Sequence, residues 1–461
     1  MASPVTPKLK LPQSSDFPLW QTFRSFVAPL DYWRTMGRKY GDIFTVRFFK
    51  LPPVTIVSHP QGIQEIFEAD PALFDAAHVN ARFIHAFLGD NSVMVLDGAR
   101  HQRTRQLLMP PFHGERMRSY AQLICQTTED VMGGWSIDRP LRMRSSMQEI
   151  TLRVILQAVF GLDRGVRYDR LRQLFGEMLD TLFSPWKSLT VFFPLLQKDL
   201  GGWSPWGRFA RQLEQVDELI YAEIAERRYH PQSGREDVLS LMMSARDGEG
   251  KAMSDVELRD ELVTLLFAGH ETVASSLAWA FYWIHRYPEV RERLVAELDG
   301  VKPLPENWVQ LPYLNAVCCE TLRIVPILMF SFVRILKAPF EVMGYQFEPG
   351  DILVPSIYTT HYREDIYPEP ERFRPERFLE RKFSQGEYLP FGGGAHRCLG
   401  QAFAQSEFKL VLATVLHRAK LRLAEPKPVR AVHRGFTFSP KGGVKMVLEN
   451  WRESGNKPLS I

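Results

Sequence analysis

The chain has 461 residues, 45% hydrophobic and 24% charged, the balance of a folded protein with a large core and not of a disordered or low-complexity chain. A formal net charge of +4 excludes a broadly basic nucleic-acid binder and leaves room only for a local basic surface. Four cysteines, Cys125, Cys318, Cys319 and Cys398, without zinc-type spacing, exclude a disulfide scaffold and a zinc module and suit a reducing cytoplasm.

Residues 1–18 are dotted with proline, carry Lys8 and Lys10, and have no apolar core of signal-peptide length. They are expected as an extended N-terminal segment ahead of one domain over 19–461. The spacing predicts a helix over 31–40, strands over 43–49 and 54–57 around Pro52-Pro53, a helix over 60–69, and an irregular apolar loop over 74–98 containing Phe83, Phe87, Val93 and Met94. In the following Gly98-Ala-Arg-His101-Gln-Arg-Thr-Arg105, His101 and Arg105 stand four apart on one helical face and reach toward one anionic group, while Arg103 points elsewhere. Taken alone, such a run is also an ordinary basic solvated turn.

Helices are expected over 120–161 and 170–182. An apolar, aromatic connection over 182–209 (Phe183, Trp186, Phe192, Phe193, Trp203, Trp206) leads to an amphipathic helix over 211–228, and Gly234, Gly248 and Gly250 mark a loop. Ser254-Asp-Val-Glu257 is a capping box that opens a long helix running to about residue 285, before Pro288. Its segment 262–284 is apolar and long, but carries His270, Glu271 and Thr272 near the middle, where a bilayer makes ionisable groups expensive, so no membrane span is expected. Gly269 costs about 1 kcal/mol relative to Ala in a helix interior, and a buried carboxylate costs more unless paired. Ala268-Gly-His-Glu271-Thr272 therefore keeps something there. A structural alternative has Gly269 accommodating a close helix neighbour and Thr272 bonding back to a carbonyl one turn earlier.

A helix over 312–324 ends before Pro326 and holds Glu320-Thr-Leu-Arg323, an i, i+3 pair. Short strands are expected over 340–345, 346–347 and 352–354 with turns at Gly344 and Pro349-Gly350; Arg334 leads this region and Met329 precedes it. Pro375-Glu-Arg377-Phe378 is preceded by a near-duplicate, Pro370-Glu-Arg372-Phe373. Then comes Phe391-Gly-Gly-Gly-Ala-His-Arg-Cys398-Leu-Gly400, a cysteine in a glycine-rich loop, followed by helical apolar spacing over 399–418. A cysteine that opens a helix faces unpaired amides and the positive macrodipole end, which favours thiolate, a metal ligand. Strands over 419–424 and 444–448, with a turn at Gly435-Phe436, end the chain.

Ala268-Gly-x-Glu271-Thr272, Glu320-x-x-Arg323, Pro375-x-Arg377-Phe378 and Phe391-x-x-Gly-x-His396-x-Cys398-x-Gly400, in this order, resemble the motifs of the cytochrome P450 family. The resemblance implies a mainly α fold with a smaller β region around one haem b (iron protoporphyrin IX), with Cys398 as the thiolate ligand of the iron. It further implies that Thr272 and Glu271 deliver protons during oxygen activation and that His101, Arg105, Arg334 and His396 hold the haem propionates. Val93, Ala268 and Met329 would shape the substrate end, and Glu320, Arg323 and Arg377 would form a structural ion-pair assembly, Arg377 being preferred to Arg372 because it is nearer the cysteine loop. His396 stands at the usual Arg position and His101 where many members have Trp; both keep a hydrogen-bond donor.

The implied function is a cytoplasmic monooxygenase that inserts one atom of O2 into a lipophilic fatty acid or terpenoid, by hydroxylation or epoxidation. No dinucleotide fingerprint follows a strand, so electrons are expected from a separate ferredoxin or flavodoxin and its NAD(P)H-dependent reductase. Arg100, Arg103, Arg116, Arg118, Arg397 and Lys409 are the candidate basic contacts. Neither nucleic acid nor a membrane anchor is expected. A peroxide-driven peroxygenase and a non-enzymatic haem sensor or carrier remain the alternatives.

Overall fold

The computed structural model describes residues 11–452 apart from 15, 113, 115, 183, 185–196, 198, 200–202, 231–233 and 436. Of the aromatic connection expected over 182–209, Phe183, Trp186, Phe192 and Phe193 therefore lie outside the described residues, as do residues 1–10 of the N-terminal segment and Phe436. Helix accounts for 57% of the described residues and strand for 12%, the mainly α architecture expected. Among the described residues no helix is long and apolar enough to cross a membrane. The chain divides into two compact units, one made of Met1–Arg82, Leu328–Arg372 and Lys382–Cys398, the other of Phe83–Ile327, Phe373–Arg381 and Leu399–Ile461.

The first unit is built on a five-stranded sheet in the order Ile43–Val46, Val54–Val57, Ile352–Pro355, Arg334–Leu336, Phe74–Asp75. Its first two strands, at the two expected positions, pair as a hairpin, with Phe44 opposite Ile56, and the Val54–Val57 to Ile352–Pro355 pair alone is parallel. The β-branched and aromatic content of these strands suits a pleated surface, and consecutive residues of Ile43–Val46 and Ile352–Pro355 are buried, so both faces are covered there. Helix Pro60–Glu68 lays Ile63, Ile66 and Phe67 into the core with Ile43, Val57, Phe74, Leu353 and Leu389. Fully burying those three side chains is worth about 1.5–3 kcal/mol each, as an upper bound. The expected helix over 31–40 is Pro29–Tyr40, and a helix the spacing did not predict, Pro18–Val27, precedes it.

In the second unit the capping box is present as read: Ser254 Oγ accepts from the Glu257 N–H, Glu257 accepts from the Ser254 N–H, and the helix runs 32 residues, Asp255–Arg286. Helix Met143–Phe160 lies along it, and a Cβ on Gly269 would come within 3.0 Å of Ile155 Cδ1. Gly269 thus lets two helices approach closely. Helix Gln401–Arg418 packs on Arg116–Met132 and on the long helix. Strand Thr437–Pro440 of the hairpin with Ala431–Arg434 also lies against the long helix, where Trp279 Nε1 donates to the Phe438 carbonyl.

Several boundaries differ from the sequence expectation. The expected loop over 74–98 contains a helix, Ala77–Leu88, which buries Ile84, Phe87 and Leu88 at i, i+3, i+4. The expected helix over 120–161 is two, Arg116–Met132 and Met143–Phe160, interrupted at Gly133-Gly134 and by a short strand that begins at Pro140. Helix Pro205–Tyr229 starts earlier than expected because Ser204 caps it, and Val238–Ser244 is an additional helix capped by Asp237.

Candidate functional site

The middle of the long helix is buried on nearly every side, with one exception. Ala268 is exposed and Leu265, Gly269 and Thr272 are partly exposed, and these four fall at i, i+3, i+4, i+7, a single accessible stripe. Thr272 lies on it and its hydroxyl donates to the Ala268 carbonyl at 2.8 Å, the back-bond foreseen from its position.

Glu271 turns the other way. It is fully buried, and Arg144 Nη2 donates to both its oxygens at 2.6 and 2.7 Å. Gln148 Nε2 at 3.1 Å and Ser275 Oγ at 2.9 Å complete its shell. Ser439 joins the network from its strand, accepting from Arg144 Nε at 3.0 Å and lying 2.6 Å from Ser275 Oγ. Adjacent helix positions do not face each other, so the acid and the alcohol that the sequence pairs point to different partners. His270 bonds Thr151 at 2.8 Å, and burial pushes its pKa down to about 4, so it is neutral at pH 7.

The same helix fixes the segment that carries Val93. Glu261 Oε1 accepts from the Val93 N–H at 2.6 Å, and Asp260 accepts from the Asn91 N–H and Nδ2 at 3.0 and 2.9 Å. Thr264 Oγ1 lies 2.7 Å from Ser92 Oγ. Burial raises the Glu261 carboxyl well above the usual range. Val93 itself is half-buried. His101, buried, and Arg105, half-buried, share one face of helix Gly98–Leu108. Arg103 leaves that face, as expected, for Asp247 at 2.5 Å and Glu257 at 2.7 Å.

These pairs also correct the expected basic surface. Arg103 is neutralised, Arg116 pairs with Glu236, and Lys409 Nζ bonds the Val309 carbonyl at 3.1 Å. Arg100, Arg118 and Arg397 stay exposed. A sequence count of cations overlooks the carboxylates that the fold brings to them.

In the first unit, the cysteine loop is held by its own backbone. The Cys398 N–H donates to the Phe391 carbonyl at 2.9 Å and the Gly392 N–H to the Leu389 carbonyl at 3.0 Å. A Cβ on Gly393 would fall 2.1 Å from a Phe67 ring carbon, and one on Gly394 would fall 2.7 Å from the Phe67 carbonyl. Only glycine allows this loop to press on that helix. Arg334, buried, donates from Nη2 to the Gly393 carbonyl at 3.3 Å and lies 5.2 Å from the Phe67 ring centre. His396 sits edge-on to Phe332 at 5.8 Å, and Cys398 is exposed. The structure thus gathers Arg334, His396 and the Cys398 loop around Phe67 and Phe332. Met329 is buried, its carbonyl accepting from the Ile357 and Tyr358 amides. The helix after the cysteine is Gln401–Arg418 with Gly400 at the N-cap, so Cys398 precedes the helix by two residues instead of opening it.

Glu320, Arg323 and Arg377 are all buried. Arg323 donates to both Glu320 oxygens at 2.6 and 2.7 Å, and Arg377 Nε and the Arg374 N–H reach Oε1 at 3.2 and 2.9 Å. Arg372 instead lies 3.6 Å from Glu369 at the surface. Spacing had not suggested the shell of Glu271 (Arg144, Gln148, Ser275, Ser439) or the Glu261 contact. The available signal was an arginine on a helix face otherwise buried at Met143, Met147, Ile150 and Val154.

Each unit by itself carries a feature that suits haem: the first an accessible cysteine in a glycine cradle, the second a bare stripe bearing a hydroxyl on an otherwise buried helix. Comparison with known proteins agrees. The family model for cytochrome P450 matches residues 18–444. Among curated relatives, "Putative cytochrome P450 135B1" of Mycobacterium tuberculosis (strain ATCC 25618 / H37Rv) is 34% identical over 418 residues, covering 90% of this chain and 86% of the relative. "Putative cytochrome P450 138" of the same strain is 33% identical over 458 residues, covering 97% and 98%. Among solved structures, "Retinoic acid bound cyanobacterial CYP120A1" superposes with a TM-score of 0.83 at 25% identity, covering 96% of this chain and all of that one. The heme domain of cytochrome P450DA, at 21% identity and a TM-score of 0.84, shares the fold.

Proposed function

The chain belongs to the cytochrome P450 family, and on that premise we propose that it hydroxylates or epoxidises a lipophilic substrate, a long-chain fatty acid or a terpenoid. It is a monooxygenase and its cofactor is haem b. When bound, the haem supplies O2 activation and transfer of one oxygen atom, the other leaving as water with two electrons and two protons.

The residues serve that chemistry as follows. Cys398 is the thiolate ligand, and His101, Arg105, Arg334 and His396 are the propionate partners. Thr272 holds a proton donor on the accessible stripe, where its hydroxyl, now bonded to the Ala268 carbonyl, would be free to turn to a water. Glu271 acts in proton delivery through its ion pair, since its carboxylate must leave Arg144 before it carries a proton. Val93, Ala268 and Met329 shape the substrate end, and apolar contact sets specificity. Electrons come from a separate ferredoxin or flavodoxin and its NAD(P)H-dependent reductase; the exposed Arg100, Arg118 and Arg397 are charges an acidic carrier reads. The absence of any disulfide among the described residues fits a cytoplasmic setting.

The observation that carries this reading is the exposed side chain of Cys398 on a backbone fixed by the Phe391 carbonyl. The retinoic acid named for the cyanobacterial relative, an apolar terpenoid acid, supports the substrate class. The test is the absorption spectrum of the dithionite-reduced protein under carbon monoxide, followed by titration with fatty acids and terpenoids for a spin-state shift. A strongly red-shifted Soret band that vanishes in Cys398→Ala is expected. An ordinary haem–CO band in the wild type overturns the ligand assignment. Spin-state shifts with polar compounds alone overturn the substrate class.

A further inference from the structure

Helix Pro18–Val27 presents its apolar side outward. Leu19, Trp20, Phe23, Phe26 and Val27 fall at i, i+1, i+4, i+7, i+8, one stripe, and with Phe17 they are between 49% and 69% exposed. Its polar side faces the protein. Gln21 is fully buried; its Nε2 donates to the Asp16 carbonyl at 2.6 Å, and its Oε1 accepts from Tyr32 Oη and the Arg47 N–H, each at 3.3 Å. Thr22 Oγ1 accepts from the Phe49 N–H at 2.9 Å. Hydrogen bonds therefore fasten the helix by its hydrophilic face, the reverse of the usual surface helix.

The turn it is fastened to extends the patch. Phe49 and Leu51 are exposed beside the exposed Arg47 and Lys50, and Pro52 and Pro53 follow. Lys50 Nζ lies 5.4 Å from the Phe49 ring centre and the Arg24 guanidinium 6.0 Å from that of Trp20, which stacks on Phe23 at 5.7 Å. Neither 17–27 nor 47–53 contains an Asp or a Glu. A contiguous exposed apolar patch of this kind marks an interaction surface. Trp and Phe flanked by Arg and Lys with no acid is the composition of a helix that lies in a lipid interface, its rings among the acyl chains and its cations at the headgroups.

We propose that helix Pro18–Val27 and the 47–53 turn form a docking surface for an anionic lipid bilayer. A second copy of the chain fits less well, because a two-fold contact would set Arg24, Arg47 and Lys50 against the same cations with no carboxylate between them. The inference does not rest on the haem chemistry.

The experiment is flotation of the haem-loaded protein with unilamellar vesicles of phosphatidylcholine alone and of phosphatidylcholine mixed with phosphatidylglycerol. The wild type should float with the phosphatidylglycerol vesicles, more weakly with neutral ones, and less as salt rises. The variant Trp20→Ser/Phe23→Ser/Phe26→Ser should partition about tenfold less or weaker, and Arg24→Glu/Lys50→Glu should lose the anionic preference. The substituted side chains are exposed, so an unchanged carbon monoxide spectrum serves as the folding control. Should the triple variant fail that control, quenching of tryptophan fluorescence by brominated phosphatidylglycerol replaces it: quenching in the wild type should fall in Trp20→Phe. No flotation of the wild type, or equal flotation of the triple variant, overturns the proposal. A concentration-dependent dimer that the triple variant lacks, without vesicle binding, assigns the patch to self-association and overturns it too.

Discussion

Glu320 and Glu407 are both fully buried acids of the second unit, on helices Pro312–Ile324 and Gln401–Arg418, and they solve the same problem in opposite ways. Glu320 sits between the guanidinium groups of Arg323 and Arg377 and also receives the Arg374 amide. Glu407 has an oxygen with no hydrogen-bond partner among the described residues, and burial raises its carboxyl well above the usual range. One acid is met by guanidinium groups from its own helix and from the 374–377 stretch; in the other, burial favours the protonated form. Glu271, held by Arg144, is of the first kind, and Glu261, whose Oε2 has no hydrogen-bond partner among the described residues, of the second. Both kinds join distant stretches of chain, Glu271 to Arg144 through an ion pair and Glu261 to the Val93 amide through a hydrogen bond.

The largest effect that would test this contrast is Glu320→Gln, which leaves two buried arginines without their counter-charge. A loss of about 5 kcal/mol in urea unfolding, or failure to recover folded protein, is expected. Wild-type stability in this variant would mean another group neutralises the arginines. Arg144→Met strands one buried carboxylate instead of two cations and should cost about 3 kcal/mol, with most of the loss recovered in Arg144→Met/Glu271→Met; additive losses in that cycle would show that the two do not act as a pair.

Glu407→Gln should match the wild type at acid pH to within about 1 kcal/mol and be the more stable of the two at neutral pH, because the amide has no proton to lose. With the folded carboxyl raised above the unfolded value of about 4.3, the stability it contributes is fully present below that pH. It is lost as pH rises toward the folded value. Unfolding midpoints of the wild type should thus fall across that window relative to those of Glu407→Gln, and parallel curves would place a counter-charge beside Glu407. Thr272→Ala should have the smallest effect on stability, within about 0.5 kcal/mol. It should nevertheless lower the product formed per NAD(P)H consumed while leaving peroxide-driven turnover intact. Unchanged coupling would remove Thr272 from proton delivery.

Local chemistry was legible in the sequence. The capping box at Ser254 and the proline-bounded helix Pro312–Ile324 appear as written in it, because each is decided within a few residues. The back-bond of Thr272 is of the same local kind. What escaped is long-range. Arg144 and Glu271 are 127 residues apart and Glu261 and Val93 are 168 apart, and no periodicity connects them. The helix Ala77–Leu88 was missed because its apolar residues were read as irregular loop packing, although three of them keep helical spacing. The split at Gly133-Gly134 was missed because both flanks are strongly helical and the break rests on two residues without side chains.

The outward apolar side of helix Pro18–Val27 also governs how that helix comes loose. Denaturants act in proportion to the surface newly exposed on unfolding. Detaching this helix frees Gln21 and Thr22 from their hydrogen bonds but uncovers little apolar area, since Trp20, Phe23 and Phe26 already face solvent. Its amides should therefore exchange with solvent deuterium ahead of those of the long helix Asp255–Arg286, at a rate almost indifferent to low urea, as befits a local opening with a slope near zero.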